Sequence, residues 1–85
     1  MDKYKTITEH YGINTELKKL SEEVFELQEA ILEKHNTEHI TEELADVYVV
    51  LEQVRRAFDI DAKELSKYMH QKVNRQIKRI EEEEK

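Results

Sequence analysis

Apolar residues recur at helical spacings of three and four in three long stretches of this chain, and almost nothing interrupts them. The first stretch runs Leu17, Leu20, Val24, Leu27, Ile31; the last runs Leu65, Met69, Val73, Ile77, Ile80. Between them lie Ile40, Leu44, Val47, Tyr48, Leu51, Val54 and Phe58, with Val49 and Val50 widening the apolar face. Such a period marks amphipathic helices. With one glycine and no proline in 85 residues, little breaks the pattern. The expected fold is all-α: an antiparallel bundle of three main helices over residues 15–35, 40–58 and 62–82, with residues 1–12 as an arm or short helix. Gly12 is the expected break, Asn14 or Thr15 the cap of the first main helix, and Thr37 or Thr41 the cap of the second. Phe25 falls roughly opposite its helix's stripe and points to a second buried face.

Size then limits how such a bundle is stabilised. The 85 residues suit one domain near the lower end of autonomous folding. Without cysteine there is neither disulfide nor thiolate metal site, and the four scattered histidines form no zinc motif. Self-association as a homodimer or homotetramer is the remaining source of buried area, so the bundle is expected to be completed by oligomerisation. The charged fraction of 40% raises disorder as a rival, which the apolar periodicity opposes. A net charge of −6 disfavours nucleic-acid binding. No apolar run reaches membrane-spanning length and no signal-peptide pattern opens the chain, so the expected location is cytoplasmic.

Chemistry concentrates between Leu20 and Val50. Glu23 and Glu26 form one acidic pair at a spacing of three, and Glu43 and Asp46 form another. Glutamates at helical spacing are common solvated surface in a chain with 20 acidic residues. Three details favour a site instead. No Lys or Arg lies three or four residues from Glu43, Asp46 or Glu26, so local ion pairs do not explain them. On the helical wheel the first pair sits roughly 70° and 130° from its stripe and the second roughly 60° and 120°, in the same sense. In an antiparallel hairpin such offsets fall on one side of the interface. With the turn centred near Asn36, Glu26 lies ten residues before it and Asp46 ten after, at similar height.

Four converging carboxylates repel unless a divalent cation sits among them. An all-oxygen set suits Mg2+, with Mn2+ as the alternative, while the absence of Glu-x-x-His pairs argues against di-iron chemistry. Mg2+ held this way takes substrate phosphates as further ligands. Lys72 and Arg75 on the last helical stretch, with Asn74 between them, are candidates for holding phosphate oxygens. Hydrolysis of a phosphoanhydride is the implied reaction. No glycine-rich phosphate loop is present.

The run Glu22-Glu23-x-x-Glu26, a 16-residue spacer and Glu43-x-x-Asp46 resembles the MazG-like all-alpha nucleotide pyrophosphohydrolases. The segments LSEEVFELQEAI, ELADVYVVLEQV and KVNRQIKRI extend that resemblance over roughly residues 12–80. It implies Mg2+ on Glu23, Glu26, Glu43 and Asp46, a catalytic role for Glu22 beside them, and triphosphate contacts from Lys72, Asn74 and Arg75. It further implies cleavage of a nucleoside triphosphate to the monophosphate and pyrophosphate, in dimers or tetramers whose pockets a partner chain completes. Phosphoribosyl-ATP pyrophosphohydrolase activity needs the same metal site and is the alternative within the class. A non-catalytic oligomerisation or nucleotide-binding module is the alternative outside it.

Overall fold

The computed structural model describes residues 1–84, which form four helices: α1 (Lys3–Tyr11), α2 (Ile13–Leu32), α3 (Thr37–Ala57) and α4 (Ala62–Glu83). Among the described residues there is no strand, so the fold is all-α as the periodicity predicts. Lys85, the end of the acidic tail, lies outside the described residues.

Local chemistry sets the helix ends. The N-terminal segment is a helix because the Asp2 side chain accepts a hydrogen bond from the Lys5 N–H at 3.2 Å and caps its first turn. Gly12 ends α1 with φ 88°, and its N–H donates to the Thr8 carbonyl at 2.7 Å. A side chain is strained at that φ, which is why the one glycine is found there. Gly12 also occupies the cap position of α2, which starts at Ile13 without a side-chain cap; neither Asn14 nor Thr15 serves. α3 likewise begins earlier than its apolar pattern suggests. Asn36, not Thr37 or Thr41, caps it by accepting from the His39 N–H at 2.9 Å. Thr41 lies inside the helix, its hydroxyl donating to the Thr37 carbonyl at 2.7 Å. Lys34 (φ 59°) and Asp59 (φ 52°) take the left-handed conformation that stops α2 and α3.

The four residues between α2 and α3 permit only an antiparallel hairpin. The hairpin packs through Leu20, Glu23, Leu27 and Ala30 of α2, facing Ile40, Glu43, Val47 and Val50 of α3, with Ala30, Val47 and Val50 buried. Each inward face is turned by roughly 60° from the apolar stripe read in the sequence, toward the acidic residues. Ala30, Val47 and Val50 let the two backbones approach on this line, which also buries the larger Glu16 and Gln53. Bulkier Leu17, Ile31, Leu44 and Leu51 are left exposed.

α1 packs chiefly on α3 and more lightly on α2. Ion pairs of Lys5 with Asp59 at 2.8 Å and of Arg56 with Asp2 at 3.2 Å fasten it, and the Arg56 guanidinium lies 4.6 Å from the Tyr4 ring centre. Among the described residues α4, by contrast, makes no packed interface with the other helices, and each of its residues is exposed. The third member of the bundle is therefore α1, and the third main helix of the sequence reading stands apart. An elbow holds it there, with the Arg55 guanidinium donating to the Ile60 carbonyl at 2.7 Å. The radius of gyration is 16.1 Å, against about 12 Å for a compact chain of this length.

Candidate metal centre

Glu23 of α2 and Glu43 of α3 lie on the inward faces of the hairpin, and Asp46 lies one turn beyond Glu43 at its edge. Each contributes a carboxylate oxygen to a group whose members all lie within 4.8 Å of one another. The height relation differs from the one inferred with the turn at Asn36. Counted from the midpoint between Leu32 and Thr37, Glu23 is level with Asp46, and Glu26 with Glu43. The converging group is Glu23, Glu43 and Asp46. Glu26 stands outside it on an exposed position, because α2 turns Glu23 and Leu27 inward and leaves the residue before Leu27 on the flank.

The group is electrostatically stressed. Burial raises the Glu23 pKa above the usual carboxylate value, and the charges of Asp46, Glu26 and Glu43 raise it further; Lys19 only partly opposes them. Glu23 Oε2 and Glu43 Oε2 are buried and have no hydrogen-bond partner. Buried carboxylate oxygens without donors are costly. A hard divalent cation removes both the repulsion and the missing partners, and a donor set of oxygens alone matches Mg2+ or Mn2+. The residues present fit such an ion.

Other predicted positions fall elsewhere. Glu22 is exposed beside Glu23 in sequence, one helical step from the inward face. Lys72, Asn74 and Arg75 are exposed on α4, and the ion pairs among the described residues do not involve them. Within one chain the acidic and basic halves of the proposed site belong to separate parts of the fold.

Two features escaped the sequence reading. The first is His39, whose Nε2 lies 3.7 Å from Glu43 Oε1; the i,i+4 spacing was visible, but a search for Lys and Arg passes over an imidazole. The second is a buried polar pair, Glu16 and Gln53, each 1% exposed, with Glu16 Oε2 and both Gln53 amide atoms unpartnered. Both lie seven residues from a carboxylate of the group, Glu16 before Glu23 and Gln53 after Asp46, and they are equally far from the turn. The heptad continuation of the acidic seam is the signal that could have found them.

Residues 12–82 match the family model of the MazG nucleotide pyrophosphohydrolase domain. No curated protein and no solved structure matches the chain.

Proposed function

The chain belongs to the MazG nucleotide pyrophosphohydrolase family, and from that premise we propose that it is a Mg2+-dependent nucleoside triphosphate pyrophosphohydrolase. Water attacks at the α-phosphorus, the bond from the α-phosphorus to the bridging oxygen breaks, and a nucleoside monophosphate, pyrophosphate and a proton result. The observation that carries the proposal is the convergence of Glu23, Glu43 and Asp46, with two buried oxygens lacking donors, in a chain of this family.

In this reading Glu23, Glu43 and Asp46 hold the cation, and Glu26 joins them or holds a second ion. When bound, Mg2+ supplies Lewis acidity to the phosphate oxygens and lowers the pKa of a coordinated water. Glu22 orients the attacking water and accepts its proton. Lys72 and Arg75 neutralise the triphosphate, the guanidinium by paired hydrogen bonds, and Asn74 donates its amide to a phosphate oxygen.

Those basic residues reach a carboxylate group by association of chains. The accessible surface is 7239 Å², whereas a compact monomer of this mass exposes about 5,400 Å². That excess is of the size an obligate dimer buries on each subunit. A homodimer or homotetramer in which α4 of one chain covers Leu44, Tyr48 and Leu51 of another buries both exposed stripes. For the two halves to act together, such an assembly would have to bring Lys72 and Arg75 to the partner's acidic group. A purely structural oligomerisation module uses the same α4 stripe but leaves the unpartnered Glu23 and Glu43 oxygens without a purpose.

Incubation with a panel of canonical and modified triphosphates, with Mg2+ and with EDTA, tests the proposal by pyrophosphate release. The expected result is Mg2+-dependent release that Glu43→Gln abolishes at unchanged helical content. Equal release by wild type and variant, or none from either, rejects it.

A further inference from the structure

The turn between α2 and α3 does more than reverse the chain. His35 and His39 stack with ring centres 4.5 Å apart and planes inclined by 33°. His35 is held from behind, because its Nε2 lies 3.0 Å from Glu33 Oε2. An ionised carboxylate only accepts, so this ring nitrogen is the donor. The backbone of His39 is held from below by the Asn36 cap at 2.9 Å. Fixed by its neighbour's ring and by the cap, the His39 imidazole points Nε2 at Glu43 Oε1 across 3.7 Å. The other Glu43 oxygen, Oε2, is the buried one without a partner.

We propose that His39 is a positioning residue for Glu43: it engages Oε1 and so commits Oε2 to the cation. This inference rests on the metal reading given above and adds a residue that the four-carboxylate pattern does not contain. A 3.7 Å separation is longer than a hydrogen bond, so the positioning role requires the two side chains to approach when an ion binds Oε2. Carboxylate ligands of metals are commonly held by such an outer partner, which fixes their orientation and raises affinity. Imidazole suits the position because its short, planar side chain can present a ring N–H to Oε1 from one helical turn away.

An ordinary i,i+4 surface pair is the plainer account of the His39–Glu43 contact, and it makes a different prediction. A surface pair adds slightly to helix stability and nothing to metal affinity. The chain separates the two accounts through Mn2+ binding to the intact protein, followed by calorimetry or by the loss of the free-ion paramagnetic resonance signal, at one fixed neutral pH. Removal of an outer partner weakens metal binding by about tenfold or more. We expect that loss for His39→Ala, and recovery of most of it in His39→Gln, whose amide can also donate. His35→Ala, which removes only the stacking neighbour, should give a smaller loss. Thermal stability in EDTA should be nearly the same in the three variants. Wild-type Mn2+ affinity in His39→Ala overturns the positioning role and leaves the metal site intact. Loss of EDTA-state stability in parallel with affinity, without rescue by Gln, also overturns it. Absence of Mn2+ binding by the wild-type protein rejects the metal reading itself and this inference with it.

Discussion

The α2–α3 hairpin and α4 are built from the same kind of sequence and end in opposite circumstances. Both are amphipathic helices of about six turns. The hairpin buries Ala30, Val47 and Val50 and carries charge into the seam, where Glu23 and Glu43 are half-buried. α4 buries nothing: Leu65, Met69, Val73, Ile77 and Ile80 all face solvent. An apolar stripe states that a helix packs, but not on what. The hairpin finds its partner within a few residues of chain and α1 supplies the next layer, so α4 is left with an uncovered stripe among the described residues.

Carboxylates in the hairpin and cations on α4 give the comparison its functional content, and mutations can break it at either end. The largest effect is expected from the hairpin. Glu43→Gln should reduce pyrophosphate release by at least about 100-fold, since it removes a ligand of the proposed ion at unchanged shape. At the other end, Val73→Asp with Ile77→Asp should disperse the oligomer, because two charges then replace the centre of the α4 stripe. Light scattering should report a monomer, and turnover should fall with it. A third change separates charge from assembly. Arg75→Ala should raise KM about tenfold through a lost phosphate contact while leaving the oligomer intact.

Smaller effects concern stability, and here the acidic seam and the ion-pair network differ in sign. Glu23 has a folded pKa raised by burial, then by Asp46, Glu26 and Glu43. Its ionised form therefore opposes folding: the protonated form is favoured below the unfolded value, and that advantage is lost as pH rises through the folded one. Glu23→Gln should accordingly raise the melting temperature in EDTA at neutral pH, with the gain vanishing in acid. Glu52 is the opposite case. Hydrogen bonds from Arg55, then Arg56, pull its pKa down to about 2. Its contribution is present above the ordinary value of 4.5 and is lost as pH falls toward about 2. Glu52→Gln should lower the melting temperature at neutral pH and match the wild type near pH 2. The smallest expected change, about 1 kcal/mol of destabilisation, is that of Gly12→Ala. A Cβ there meets nothing within 4 Å, so the strain of φ 88° is the whole effect.

Much of this arrangement was legible in the residues. The all-α class followed from spacing, and the antiparallel hairpin from the short polar segment between Leu32 and Thr37. The approach of Glu23 to Glu43 and Asp46 agrees with the equal wheel offsets, whereas Glu26 lies outside the group. The inward faces did not follow, because Leu17 and Ile31 outrank Glu16 and Ala30 in hydrophobicity, yet Glu16 and Ala30 are the buried residues. That rotation is also why Glu23 and Glu43 sit in the seam and Glu26 does not. A shift of one and a half residues in the turn centre, from Asn36 to the midpoint between Leu32 and Thr37, exchanged the partners in height. The isolation of α4 was illegible for a different reason: its stripe is as regular as any in the chain, and the choice of packing partner is a tertiary property. His39 was missed because an imidazole was not counted among the cations facing Glu43.

In the proposed assembly, hairpin carboxylates of one chain and α4 cations of another make one site. Subunit complementation tests it most directly. Glu43→Gln and the double variant Lys72→Ala, Arg75→Ala, each nearly inactive alone, are to be co-expressed and their mixed oligomers assayed for pyrophosphate release. In a symmetric dimer with sites shared between chains, each mixed dimer regains one intact site, so an equal mixture should recover roughly a quarter of wild-type turnover. Mixed oligomers that form and stay as inactive as their parents contradict the claim.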